Sequence, residues 1–226
     1  MRNWHPLLPD TLKQMADAGV TRAIGFICAA QRSYSSCTQY KQNVLDARAE
    51  TVQGGRPDVE VTFVEDWNVH PGFVGTNARH VRAALARLPE ALRDRARVVF
   101  TAHSIPESMT GAARYQLQLQ QSCEAVAAEL GWSNWSLVYQ SRSGRPEDPW
   151  LEPDVCDYLR RERAAGLEAA VICPVGFVCD HIEVLYDLDI EASHRAASHG
   201  LAFGRTACVN ADGRVMAALA RRVVAA

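Results

Sequence analysis

The sequence predicts an α/β fold built on parallel sheet, and three observations carry that prediction. Short apolar runs alternate with amphipathic helical stretches along the whole chain, the pattern of βαβ units. The runs near 97–102 and 169–173 are compact and apolar, as buried strands are. Turn-forming residues punctuate the helical stretches, at Gly19, at Gly54-Gly55-Arg56-Pro57, at Pro89 and at Gly131.

In order, 10–18 reads as a helix ended by Gly19, and 21–29 as a strand. A helix over 41–53 stops at Gly54, and 59–64 alternates as a strand does. The stretch 76–88 is helical up to Pro89, and 97–102 is a β-branched strand. A long helix over 115–130 is closed by Gly131, and a strand follows over 135–140. Then come a helix over 153–165, a strand over 168–173 and a helix over 180–188 that Asp180 is suited to cap. A short strand near 201–206 and a helix over 211–224 complete the chain. A domain break is expected in the charged, Pro-containing stretch 88–97.

With 226 residues, 48% of them hydrophobic, the chain is long enough for one large domain or two small ones. Its net charge of −2 gives no global attraction to nucleic acid or anionic membrane. No apolar run approaches a spanning helix, and Met1-Arg2-Asn3-Trp4-His5-Pro6 lacks the apolar core of a signal peptide. The seven cysteines form no Cys-x-x-Cys pair, which suits reduced thiols in a cytoplasmic protein. No Gly-x-Gly-x-x-Gly occurs, so a nicotinamide oxidoreductase is disfavoured.

The chemistry-bearing residues gather at strand ends. Glu183, Asp187 and Glu191 recur at i, i+4 and i+8 after the strand ending near Cys173. On an α-helix this spacing drifts by about 40° per step. On a π-type turn the three line up almost straight, and such turns favour functional sites. The carboxyl end of a parallel strand is where open α/β sheets bind ligands. Against this, Asp180-x-x-Glu183 is also a capping box, and three acids on one face are usually solvated. His103 follows another buried strand, and Pro106 prevents its simple continuation. A lone histidine there is more often structural. Its topological place nevertheless matches that of Glu183, and an imidazole facing a carboxylate can bind a divalent metal, take up protons, or do both.

Two loops complete the set. The stretch 25–40 leads from a strand into serines, Tyr34 and Tyr40, able to cradle a flat ligand or to be an ordinary polar loop. The stretch 139–153 carries Arg142, Arg145 and Trp150 together with Pro146, Pro149 and Pro153. It suits an anionic, partly apolar ligand, or simply a rigid connection.

Three motifs together resemble the ferrochelatases: Thr101-Ala102-His103-Ser104-Ile105-Pro106, the Tyr139-Gln140-Ser141-Arg142 loop running through Pro149-Trp150-Leu151, and the stretch 174–189 around Asp180-His181-Ile182-Glu183. The resemblance covers essentially the whole chain. Met1-Arg2-Asn3-Trp4-His5-Pro6 resembles a segment near the end of the family's first third. The loop Ser33-Tyr34-Ser35-Ser36-Cys37-Thr38-Gln39-Tyr40 resembles the actinobacterial, coproporphyrin-dependent branch.

The resemblance implies a chelatase fold: two Rossmann-like parallel-sheet halves with a porphyrin cleft between them. Residues 1–92 would form a partial first half, with 207–226 packing back on it, and 93–206 a second half carrying the metal site. It makes His103 and Glu183 the catalytic, metal-binding pair, and Asp187 and Glu191 a path for protons or metal. Tyr40 falls on a tyrosine that contacts the porphyrin, with Tyr34 carried as a second contact. The plain-loop alternatives stay open for Tyr34, Arg142 and Arg145.

The implied function is insertion of Fe2+ into a porphyrin in haem biosynthesis, coproporphyrin III being favoured and protoporphyrin IX the other candidate. Iron is then a substrate, and no cofactor is expected. The alternatives are a non-catalytic porphyrin- or haem-binding truncated paralogue and a cobalt chelatase of the same fold. No nucleic acid, at most peripheral membrane contact and a monomer are expected.

Three departures from the family pattern matter. The family's N-terminal stretch is absent, so the first half is expected to be an incomplete sheet with an exposed edge and the chain alone a poor chelatase. Gln31 stands where many members have histidine. Cys37 matches one ligand of the [2Fe–2S] cluster that some relatives carry, but only Cys208 lies near the position of their C-terminal cysteines, and a cluster needs four ligands.

Overall fold

A computed structural model describes residues 3–145 and 147–225. Met1 and Arg2 of the N-terminal motif, and Pro146 of the long loop, lie outside the described residues. The elements are α1 (Leu8–Asp17), β1 (Arg22–Phe26), α2 (Gln39–Gln53), β2 (Glu60–Val64), α3 (Pro71–Leu85), α4 (Glu90–Arg93), β3 (Arg97–His103), α5 (Ala112–Leu130), β4 (Trp135–Gln140), α6 (Val155–Ala164), β5 (Ala169–Cys173), α7 (Ile182–Val184), α8 (Ser193–Ser198), β6 (Ala202–Arg205) and α9 (Gly213–Val224). Two π-helical segments are interleaved, Tyr34–Thr38 ahead of α2 and Leu185–Ala192 between α7 and α8.

All strand pairing is parallel, in a two-stranded sheet β1-β2 and a four-stranded sheet ordered β4-β3-β5-β6. The central strands β3 and β5 are covered on both faces, which is why their sequences read as continuous apolar runs. Side chains alternate between the two faces. Val98, Phe100 and Val171 meet Leu119 and Val126 of α5 and Phe73 and Val81 of α3 on one side. Val99 and Ile172 meet Leu159 of α6 and Leu188 of the π-helical segment on the other. Burying each of these large side chains contributes roughly 1.5–3 kcal/mol. A smaller core of Leu12, Ala16, Ala47 and Val59 joins α1 and α2 to the first sheet.

Helix α3 precedes the break expected between 88 and 97, yet it packs on the four-stranded sheet through the larger core, and α9 packs on α3. That contact is close: a Cβ at Gly72 would stand 2.5 Å from the Ala218 Cβ. Helix α3 also starts five residues earlier than its apolar spacing predicts. Pro71 sits in the first turn, where its missing N–H costs nothing, and His70 Nδ1 caps the helix by accepting from Gly72 N at 3.2 Å.

Two local expectations are corrected. The stretch 33–40 is not a loop: Ser33 and Ser36 form a reciprocal capping box (3.0 and 3.1 Å) that opens the π-helical turn. Nor does Asp180 cap α7. The cap position is His181, which makes no side-chain capping bond. The Asp180 carboxylate instead accepts from Arg205 Nη1 at 2.8 Å, Asn210 Nδ2 at 2.7 Å and Cys208 N at 3.3 Å.

Candidate active site

His103 is the last residue of β3, paired in register with Gln140 at the end of β4. Ser104 N donates to Gln140 O at 2.8 Å, and the buried Gln140 side chain donates to Glu183 O at 3.1 Å. One residue of β4 thus fixes both His103 and the start of the acidic segment. Tyr115 of α5 donates to His103 O at 3.1 Å. Burial raises its hydroxyl pKa well above the usual tyrosine range, with the neighbouring Tyr139 adding to the effect, so the donor keeps its proton.

The imidazole is set by its own backbone. His103 Nδ1 lies 2.5 Å from Ser104 O, and since a carbonyl only accepts, Nδ1 carries the hydrogen. In the neutral ring Nε2 is then a bare lone pair, and it faces Glu183 Oε1 at 3.7 Å. On the other side of the same carboxylate, His181 Nδ1 lies 3.8 Å from Glu183 Oε2. The His181 ring is held edge-on to Phe177, centroids 5.3 Å apart. Room for this arrangement comes from Gly176, where a Cβ would stand 2.7 Å from the Ala102 Cα.

Beside His103 opens a cleft of about 350 Å³, walled by Ser33, Ser35 and Ser36 of the first half and by Pro106, Tyr115 and Trp150 of the second. The loop carrying Trp150 is strapped alongside by Leu151 N to Ile105 O and Glu107 N to Pro149 O, both 3.0 Å. Arg142 holds that loop's own carbonyls, at Arg145 O (3.2 Å) and Asp148 O (2.8 Å), the behaviour of a rigid connection. Arg145 is exposed.

Asp187 and Glu191 lie on the π-helical segment, so the wider turn named from their spacing is present. They border a second cleft of about 470 Å³, together with Asp154, Cys156 and His194. Ser141 donates to Asp187 at its edge. Tyr34 is exposed and Tyr40 half-buried on α2; neither is among the residues walling the cleft beside His103. Among the described residues no three His, Cys, Asp or Glu side chains are grouped to hold a metal ion.

Gln31 is 2% exposed. Its amide donates to Ser122 Oγ at 3.0 Å and Val175 O at 3.3 Å, tying the first half's loop to α5 and to the exit of β5. Sequence reasoning did not single out Gln140 or His181. Their signal was positional, since one ends the strand beside His103 and the other precedes Glu183 by two residues.

The family model described as Ferrochelatase matches residues 1–226. The chain belongs to the ferrochelatase family. It is 43% identical over 221 residues to the coproporphyrin III ferrochelatase of Nocardia farcinica, covering 94% of this chain and 62% of that protein. The corresponding ferrochelatase of Mycolicibacterium smegmatis is 45% identical over 216 residues, covering 94% and 63%, and that of Streptomyces coelicolor is 42% identical over 233, covering 96% and 62%. The chain therefore spans less than two thirds of the length of these ferrochelatases.

Solved structures show the same fold. SirB from Bacillus subtilis with Fe3+ superposes with a TM-score of 0.71 at 9% identity, over 98% of this chain and 77% of that one. DR2241 from Deinococcus radiodurans, a multi-domain protein with structural similarity to chelatases, gives 0.56 at 14% identity, over 97% and 44%. Two parallel sheets meeting at a cleft are thus the chelatase fold that the ferrochelatase motifs implied.

Proposed function

We propose that this chain inserts ferrous iron into coproporphyrin III, with His103 and Glu183 as the pair that receives the ion and the displaced protons. The carrying observation is His103 Nε2 facing a Glu183 carboxylate oxygen at 3.7 Å. Imidazole and carboxylate both suit a divalent first-row ion, and both accept protons. Insertion releases two protons per iron, one from each pyrrole N–H, and forms the metal–nitrogen bonds as those N–H bonds break. His181, against the other oxygen of Glu183, gives the carboxylate a second proton partner. Asp187 and Glu191 lead from the pair toward the second cleft, the arrangement a proton or hydrated-cation path needs.

The serine-rich wall at Ser33, Ser35 and Ser36 supports coproporphyrin III, whose four propionates exceed the two of protoporphyrin IX. Tyr34 and Tyr40, on the segments flanking that wall, are proposed as further porphyrin contacts. The proposal includes no iron–sulfur cluster: Cys37 and Cys208 are two thiols where four ligands are needed. It also includes a cytoplasmic monomer with at most peripheral membrane contact. Among the described residues no helix is long and apolar enough to cross a membrane.

Anaerobic incubation with Fe2+ and equal amounts of the two porphyrins, followed by absorption spectroscopy, tests the reading. Preferred metallation of coproporphyrin III is expected. Preference for protoporphyrin IX overturns the substrate, and binding without metallation of either overturns the chelatase.

A further inference from the structure

Behind the π-helical segment lies a clamp centred on Arg205. Arg205, the last residue of β6, has only 15% of its side chain exposed. Its Nε and Nη2 reach Asp189 Oδ1 and Oδ2 at 2.5 and 2.8 Å, a two-pronged contact with fixed geometry. Its Nη1 reaches Asp180 Oδ1 at 2.8 Å. One guanidinium therefore holds residues 180 and 189, the two ends of the segment that carries His181, Glu183 and Asp187.

The anchor at the first end is itself tied down. Asp180 N donates to Asn210 Oδ1 at 2.9 Å, Asn210 Nδ2 returns to Asp180 Oδ2 at 2.7 Å, and Asn210 N donates to Val178 O at 2.8 Å. Asp189 lies two residues beyond Asp187, about half a helical turn away. The clamp thus grips the face of the helix opposite the acidic row and touches neither cleft wall at His103.

We propose that Arg205 is a positioning residue for Glu183: with Asp180 and Asp189 it fixes the path of 180–189 and so the Glu183 carboxylate against His103 Nε2. The geometry calls for such a device. Glu183 is exposed, α7 is three residues long, and its cap position makes no side-chain bond. Packing alone anchors this segment only through Val184 and Leu188. Lysine at 205 would keep the charge but not the fork, and reach one carboxylate at a time.

The activity arm of the test rests on the proposed function; the other arms do not. In the full chain, Arg205→Met, Arg205→Lys and Asp189→Asn are compared with the parent by amide hydrogen exchange, Co2+ titration and metal-insertion kinetics. Exchange across 183–192 is expected to rise on the order of tenfold or more, while the β3–β5 core stays protected. Co2+ affinity and kcat are expected to fall by about tenfold to a hundredfold, as a small misplacement does. The KM for porphyrin should stay unchanged, and Arg205→Lys should recover part of each loss.

Unchanged exchange over 183–192, or native Co2+ affinity despite faster exchange, overturns the proposal. If Arg205→Met does not fold, Asp189→Asn, which keeps the Arg205–Asp180 contact, decides by the same criteria. If the parent takes up neither Co2+ nor iron, the reading of the metal pair has failed, and exchange alone judges the clamp.

Discussion

Glu183 Oε1 stands 3.7 Å from His103 Nε2, while the ring hydrogen of His103 is committed to Ser104 O at its other nitrogen. A proton or a divalent cation is what an imidazole nitrogen and a carboxylate oxygen can share. The fold holds them there from three directions: Gln140 from β4, Tyr115 from α5 and Arg205 from β6.

Gly176 sets how closely the loop after β5 approaches β3. Its missing side chain leaves room for Ala102, whose Cβ a Gly176→Ala methyl would meet at 2.5 Å. Overpacking of this kind costs about 1–3 kcal/mol. Chemical denaturation should show that loss. Because Ala102 adjoins His103, insertion should fall further than stability alone explains; an unchanged unfolding midpoint contradicts the packing argument.

His70 makes stability depend on pH near neutrality. Burial lowers its pKa below 6.5, and the charges of Arg222 and Arg221 add to the effect. Protonation also removes the Nδ1 lone pair that caps α3. A depressed histidine means that the unfolded chain binds more protons, so stability is full above about pH 6.5 and is lost as pH falls below it. Replacing His70 with Asn keeps a capping acceptor and removes the titration. The melting temperature of His70→Asn should fall less than the parent's between pH 7 and 5.5; parallel falls reject this origin.

The thiols divide by burial. Burial pushes the Cys173 pKa up to about 12 and also raises that of Cys123. Cys28 and Cys179 are exposed. Burial, and then Cys179, raise the Cys28 pKa, so alkylation of the folded protein should modify Cys179 first and Cys28 after it, and leave Cys123 and Cys173 untouched until unfolding. Early labelling of Cys173 contradicts the packing of β5.

What the sequence disclosed follows from range. The placement of His103 at the end of β3 and of Glu183 after β5 was legible because both strands are buried on both faces and their runs are unambiguous. The π-helical turn was legible because four-residue spacing of acids makes sense there. Asp180 was misread because its partners, Arg205 and Asn210, lie 25 and 30 residues away; local pattern offers the cap and cannot see the clamp. The start of α3 was hidden by Pro71 and Gly72, residues that disfavour a helix interior; Ala218 of α9 explains the glycine. Gln31, noted only as a departure from histidine, is a buried link from the segment after β1 to α5 and the exit of β5.

The most direct test replaces one atom of the pair. Glu183→Gln keeps the shape of the side chain and its main-chain bond to Gln140 while removing the charge and the proton acceptor. The initial rate of anaerobic Fe2+ insertion into coproporphyrin III should drop by about 10²-fold or more, with the melting temperature and porphyrin binding unchanged. A rate within a few-fold of the parent would show that the carboxylate facing His103 is not the centre of the chemistry.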